Sequence, residues 1–163
     1  MPWTASQTAR KLGYTILSHT ISLEATMEAS SFAALASRFI KTDSVPWIDT
    51  GPGSKIKVIY SDPVTGLLTI LGKLEPGAGI PAHVHEDLEQ TYVLEGSLLC
   101  GEGECKAGEF VWRPAGSRHE AWAGAKGGLF LAMFQIPNKF FGRDGRETDF
   151  LGKDWQKVWG ALR

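Results

Sequence analysis

Four residues in the glycine-rich centre of the chain could do chemistry together: His83, His85, Glu89 and His119. His83 and His85 are two apart, and in an extended segment alternate side chains project to the same face. Their imidazoles therefore fall on one side of a sheet, close enough to share an ion. Glu89 follows the short polar connection Glu86-Asp87-Leu88 and begins the next strand, and His119 opens a later one. Three imidazoles and a carboxylate on one inner wall are a donor set for a divalent transition metal. Gln90, next to Glu89, is the competing candidate to point inward. The fourth histidine, His19, stands apart and is read as a hydrogen-bonded or exposed residue. Cys100 and Cys105 flank Gly101-Glu102-Gly103-Glu104, a hairpin loop, and could face each other across it. Nothing else indicates secretion, so free thiols outside the metal set are expected.

Short strands must position these groups. Residues 55–60 alternate polar and apolar, and Ser61-Asp62-Pro63-Val64-Thr65-Gly66 is turn chemistry. Further β-type runs cover 67–74, 91–95, 97–100, 109–112, 120–123 and 129–136, each bounded by Gly or Pro. Short strands closely spaced between turns predict a sandwich or barrel, hence an all-β domain. Residues 1–22 are polar and show no sustained period. Residues 23–40 have helix-like spacing of Met27, Phe32, Leu35 and Phe39. Trp155, Val158, Trp159 and Leu162 recur at helical spacing, so 154–162 is expected to form a short terminal helix. The organisation expected is an N-terminal extension over 1–43, partly helical, and one domain over 44–163.

Composition excludes several classes. At 163 residues, 43% hydrophobic and 21% charged, the chain suits one globular domain rather than a disordered or fibrous one. Seventeen Lys and Arg against 18 Asp and Glu leave a net charge of -1, with no basic footprint for nucleic acid or an anionic membrane surface. No apolar stretch approaches the ~20 residues of a membrane helix. The N-terminus lacks a signal-peptide shape, so a cytoplasmic location is expected. Six Trp and eight Phe exceed what a small barrel core usually holds, which points to a homodimer contact.

The first block of the site reads G-x5-H-x-H-x3-E-x6-G from Gly77 to Gly96, and the second G-x5-P-x-G-x2-H from Gly108 through Pro114 and Gly116 to His119. These resemble the two sequence motifs of the cupin superfamily. The family's second motif usually continues with Asn after three more residues, where this chain has Ala123. The resemblance covers roughly residues 55 to 136 and implies a double-stranded β-helix, or jelly-roll barrel. Asp43-Ser-Val-Pro-Trp47, Tyr92-Val-Leu-Glu-Gly96 and Phe140-Phe-Gly-Arg-Asp-Gly145 look like one branch of it. That branch holds the cupin domain of zinc-binding anti-sigma factors and small dioxygenases cleaving acetylacetone or 2,4'-dihydroxyacetophenone. In the resemblance, the acetylacetone type uses three histidines on iron, whereas the anti-sigma type uses all four ligands.

The function expected is therefore a metal-dependent cupin, first an Fe(II) dioxygenase cleaving a C–C bond in a β-diketone or hydroxyketone-like small molecule. Zinc, manganese or nickel would accept the same donors. The alternatives are a non-catalytic zinc cupin with a sensing or regulatory role and a metal-dependent isomerase. Glu89 and Gln90 are the candidate catalytic side chains. Phe110, Trp112, Trp122, Met133 and Phe134 are candidate pocket residues, and Gln90, Arg113 and Gln135 candidate polar contacts, with the inward member of each alternating pair left open.

Overall fold

The computed structural model describes residues 37–162. The expectations for 1–22 and for most of the 23–40 helix lie outside the described residues; 37–40 carry no regular structure. From Ile40 onward the chain forms one compact unit.

Ten strands build one curled, antiparallel sheet. β1 (Ile48–Gly51), β2 (Ser54–Ser61) and β3 (Leu68–Leu74) form a meander, joined at β2–β3 by a turn in which Asp62 accepts from Val64 N and Thr65 Oγ1. β4 (Gly79–Val84), β5 (Glu89–Cys100), β6 (Gly103–Lys106) and β7 (Phe110–Arg113) precede the long β8 (Arg118–Phe134). β9 (Lys139–Phe141), β10 (Glu147–Thr148) and a short helix, α1 (Trp155–Trp159), complete the chain. β8 pairs along its start with β4, along its end with β3, and across both parts with β5. One strand thus belongs to both walls of the jelly roll and curls the sheet around an interior.

Two expected strand breaks are not breaks. Residues 91–95 and 97–100 are one strand, as are 120–123 and 129–134, with 135–136 beyond its end, because the intervening glycines bend the ladder rather than end it. Gly96 has φ +66°, and a Cβ there would collide with the carbonyl oxygen of Gly127, itself at φ +77°. The β5–β8 register shifts on both sides of this corner, between Val93 and Glu95 and between Gly96 and Leu98.

The core lies inside the curl. Ile56, Ile70, Val93, Leu98, Phe130 and Phe134 are buried together, following the in–out alternation of half-buried strands. At the C-terminus Asp154 caps α1 by accepting from Lys157 N, and Trp155 and Trp159 pack on Ile136. Their indole N–H groups donate to Pro137 O and Asp149 Oδ2. The expected helix stops at Trp159, continues as a 3-10 turn over Gly160–Leu162, and leaves Val158 exposed. Among the described residues, no helix is long and apolar enough to cross a membrane.

Candidate metal centre

Strand register brings the histidines together. His83 in β4 lies directly opposite His119 in β8. His85 sits just past the end of β4, where its N–H donates to Ser117 O and its carbonyl accepts from Gly116 N. These two bonds hold it beside the start of β8, facing the same side as His83. Ring centroids are 4.6 Å apart for His83–His119, 4.9 Å for His85–His119 and 5.0 Å for His83–His85. One nitrogen from each ring lies within 4.8 Å of the others, the reach of a single ion.

The protonation states suit a cation. His83 Nδ1 lies 2.8 Å from Pro81 O, and because a carbonyl can only accept, Nδ1 carries the proton and Nε2 keeps a free lone pair. Both ring nitrogens of His85 and of His119 are buried without a hydrogen-bond partner among the described residues. Buried polar atoms are rarely left so, and an ion held on one nitrogen of each ring would satisfy them. Burial pushes the His83 pKa below its ordinary value, and that of His119 down to about 4, with the Arg113 guanidinium adding to the effect. His83 and His119 are therefore neutral near pH 7, as metal ligation requires.

Glu89 stands immediately beside this group. Its Oε2 is 3.1 Å from His85 Nδ1, though out of line for a hydrogen bond, and accepts from Asn138 Nδ2; Oε1 accepts from Thr91 Oγ1. Burial alone would raise its pKa, but His85, Asn138 and Thr91 together hold it down to about 2. The carboxylate is thus ionised and adds a negative charge to the site.

His83, His119 and Glu89 open onto a cavity of about 410 Å³. Its other walls are mainly apolar, with Ile56, Ile70, Ile80, Leu98, Phe130 and Phe134 among them. Of the expected pocket residues, Phe134 and Arg113 line it. Gln90, Phe110, Trp112, Trp122, Met133 and Gln135 do not. The reason is strand parity: Glu89 pairs with Arg113 and Phe134 on the inner face, so Gln90 and its two register partners, Trp112 and Met133, take the outer one. Phe110 and Trp112 are 51% and 60% exposed there, and Trp122 is exposed too. Gln135 follows β8, the neighbour of inward-facing Phe134, and its N–H donates to Leu88 O.

Sequence reasoning missed Cys100, Thr91, Asn138 and Phe140. The corner at Gly96 switches the inner parity of β5 from Glu89, Thr91 and Val93 to Leu98 and Cys100, so plain alternation misplaces Cys100. Cys100 is free, as is Cys105, and its register partner is Gly103. Its thiol lies with Glu102 and His119 in a second group of mutually close donor atoms. Phe140 places its ring 4.9 Å from that of His83.

A jelly-roll barrel carrying a three-histidine cluster on its inner wall is the architecture of the cupins. Residues 36–138 match the sequence profile of the ChrR cupin-like domain, more than half of the chain, and the chain belongs to that family. None of the curated proteins matches the sequence. Among solved structures, an RmlC-like cupin protein from Ralstonia eutropha JMP134 is 18% identical, covering 80% of this chain and 89% of that one, at a TM-score of 0.64. The acetylacetone dioxygenase of Acinetobacter johnsonii is 17% identical over 93% of this chain and all of that one (100%), at 0.61. The Rhodobacter sphaeroides complex of SigE with the anti-sigma ChrR contributes a match of 20% identity, covering 75% of this chain and 70% of that one, at 0.52. At these identities the likenesses show the shared fold.

Proposed function

We propose that this chain is an Fe(II)-dependent dioxygenase that cleaves a C–C bond in a β-diketone or hydroxyketone-like small molecule. The observation carrying the proposal is the trio of clustered imidazoles, with the ring nitrogens of His85 and His119 buried and unpartnered, beside a largely apolar cavity. His83, His85 and His119 would hold the ion, with Glu89 as the fourth donor. A bound ferrous ion would supply a Lewis acid for chelating oxygens and the capacity to engage dioxygen. The chain's own part is positional and electrostatic. The Pro81 carbonyl fixes the His83 tautomer, Asn138 and Thr91 orient the ionised Glu89, and Phe130 and Phe134 keep water from the substrate's carbon skeleton. Likeness to the acetylacetone dioxygenase of A. johnsonii supports the same choice.

Oxygen uptake by iron-loaded protein given acetylacetone or 2,4'-dihydroxyacetophenone tests this reading. Uptake lost in His83→Ala is expected; none in the wild type, with tightly bound zinc, would favour a second reading. That reading is a non-catalytic zinc cupin with a regulatory role, and the match to the ChrR domain is what favours it.

The outer face carrying Tyr92, Phe110, Trp112 and Met133 is exposed and register-paired, and we assign it to a homodimer contact. The two free thiols fit a reducing, cytoplasmic setting.

A further inference from the structure

Besides the histidines, Arg113 is a residue at the cavity with a buried polar atom left short of partners. Its side chain is 6% exposed, at the end of β7, where the register with Glu89 turns it inward. A guanidinium has five N–H donors in a planar fork, and buried guanidinium groups are normally well paired. Here the surroundings are thin. Nη2 donates to the Cys100 thiol at 3.1 Å, and thiol sulfur is a weak acceptor. Nε is buried with no hydrogen bond; Glu102 approaches it only to 3.5 Å. Nη1 is 4.0 Å from Glu89, whose oxygens already accept from Thr91 and Asn138. Glu102 itself lies in the β5–β6 turn with its side chain 61% exposed and its carboxylate hydrogen-bonded to its own backbone N–H.

We propose that Arg113 is the receptor for a carboxylate carried by the substrate, seated between the guanidinium fork and the three histidines. This deepens the reading of the cavity as a substrate site and rests on it. The substrate class becomes a small 3-oxo acid: the same pair of chelating oxygens as a β-diketone, with a carboxylate in place of one acyl end. With one carboxylate oxygen completing the chelate, the other would turn to the guanidinium and supply a charged acceptor that Cys100 and Glu102 supply poorly. Position supports the geometry: Cys100, which Arg113 touches, is in the donor group of His119, so the carboxylate end and the ion lie on one wall. Glu102 acts as the resident competitor, an exposed carboxylate that gives way when the substrate arrives.

The test is calorimetric titration of zinc-loaded protein with acetoacetate and with acetylacetone, near-isosteres that differ by the carboxylate. Zinc is redox-inert, so binding is read without oxygen chemistry. In Arg113→Met the ratio of the two affinities is expected to fall by roughly tenfold or more, the worth of a charge-assisted pair, and Arg113→Lys should retain part of it. Glu102→Gln, in an exposed turn that tolerates it, should tighten acetoacetate more than acetylacetone and so raise the ratio. A ratio unmoved in both Arg113→Met and Glu102→Gln overturns the proposal. Arg113-dependent acetoacetate binding in a protein that consumes no oxygen supports the subsite while removing the dioxygenase. Oxygen uptake with acetylacetone, and acetoacetate binding indifferent to Arg113, does the reverse.

Discussion

Replacing His119 by leucine should separate the site's cost to the fold from its use. Both His119 ring nitrogens are buried without partners. At about 1–3 kcal/mol per buried unsatisfied group, the pair costs the metal-free protein ~2–6 kcal/mol. Leucine removes both atoms at similar volume, so metal-free His119→Leu should melt above metal-free wild type. A recovery of even ~2 kcal/mol corresponds to roughly 6 °C at this domain size. Zinc should do the opposite to the two proteins. Ligand at a thousandfold over Kd adds about 4 kcal/mol, so the wild type should rise by ~12 °C, whereas the variant should not move. The assay is scanning calorimetry of chelator-treated samples with and without one equivalent of zinc and a modest excess. A variant that melts lower than wild type without metal, or that still gains stability from zinc, would refute the reasoning: the orphaned nitrogens would then be neither a burden nor ligands.

Metal-free protein should also lose stability as pH falls. His119 has an ordinary pKa of 6.5 and a folded one near 4, so the unfolded chain takes up the proton first and the melting temperature drops between pH 6.5 and 4. Glu89 continues the loss between 4.5 and about 2, because its folded pKa is depressed; His119→Leu should flatten only the upper part. Gly96→Ala places a Cβ against the Gly127 carbonyl at φ +66° and should cost about 2 kcal/mol or more, read from urea midpoints. Trp112→Glu, on the outer face, should convert a dimer to a monomer in light scattering without altering zinc stoichiometry, and an unchanged mass would remove that face as the contact.

What could be read in advance follows from which signals are local. Two residues apart is a strand's repeat, so His83 and His85 announce a shared face, and the glycine and proline spacing around them announces the barrel. The pocket was less legible because β7 (Phe-Val-Trp-Arg) has apolar residues on both faces and the end of β8 (Leu-Phe-Leu-Ala-Met-Phe) is apolar on both. Periodicity cannot choose between faces that look alike; the choice comes from Glu89 pairing with Arg113 and Phe134. Aromatic size pointed to Phe110 and Trp112 as pocket walls, but their parity turns them to the surface. Gly96 reads as a turn in one dimension and as a bend in three, which hides the inward position of Cys100. Asn138 has no local signal at all: it meets Glu89 across 49 residues, through tertiary structure alone.

The account rests on an ion held by His83, His85 and His119. X-ray absorption at the zinc edge of zinc-loaded protein tests this most directly. Three imidazole nitrogens at about 2.0–2.1 Å, with their multiple-scattering signature and an oxygen beside them, are predicted. A first shell of oxygen alone, or a spectrum unchanged in His83→Ala, would contradict it.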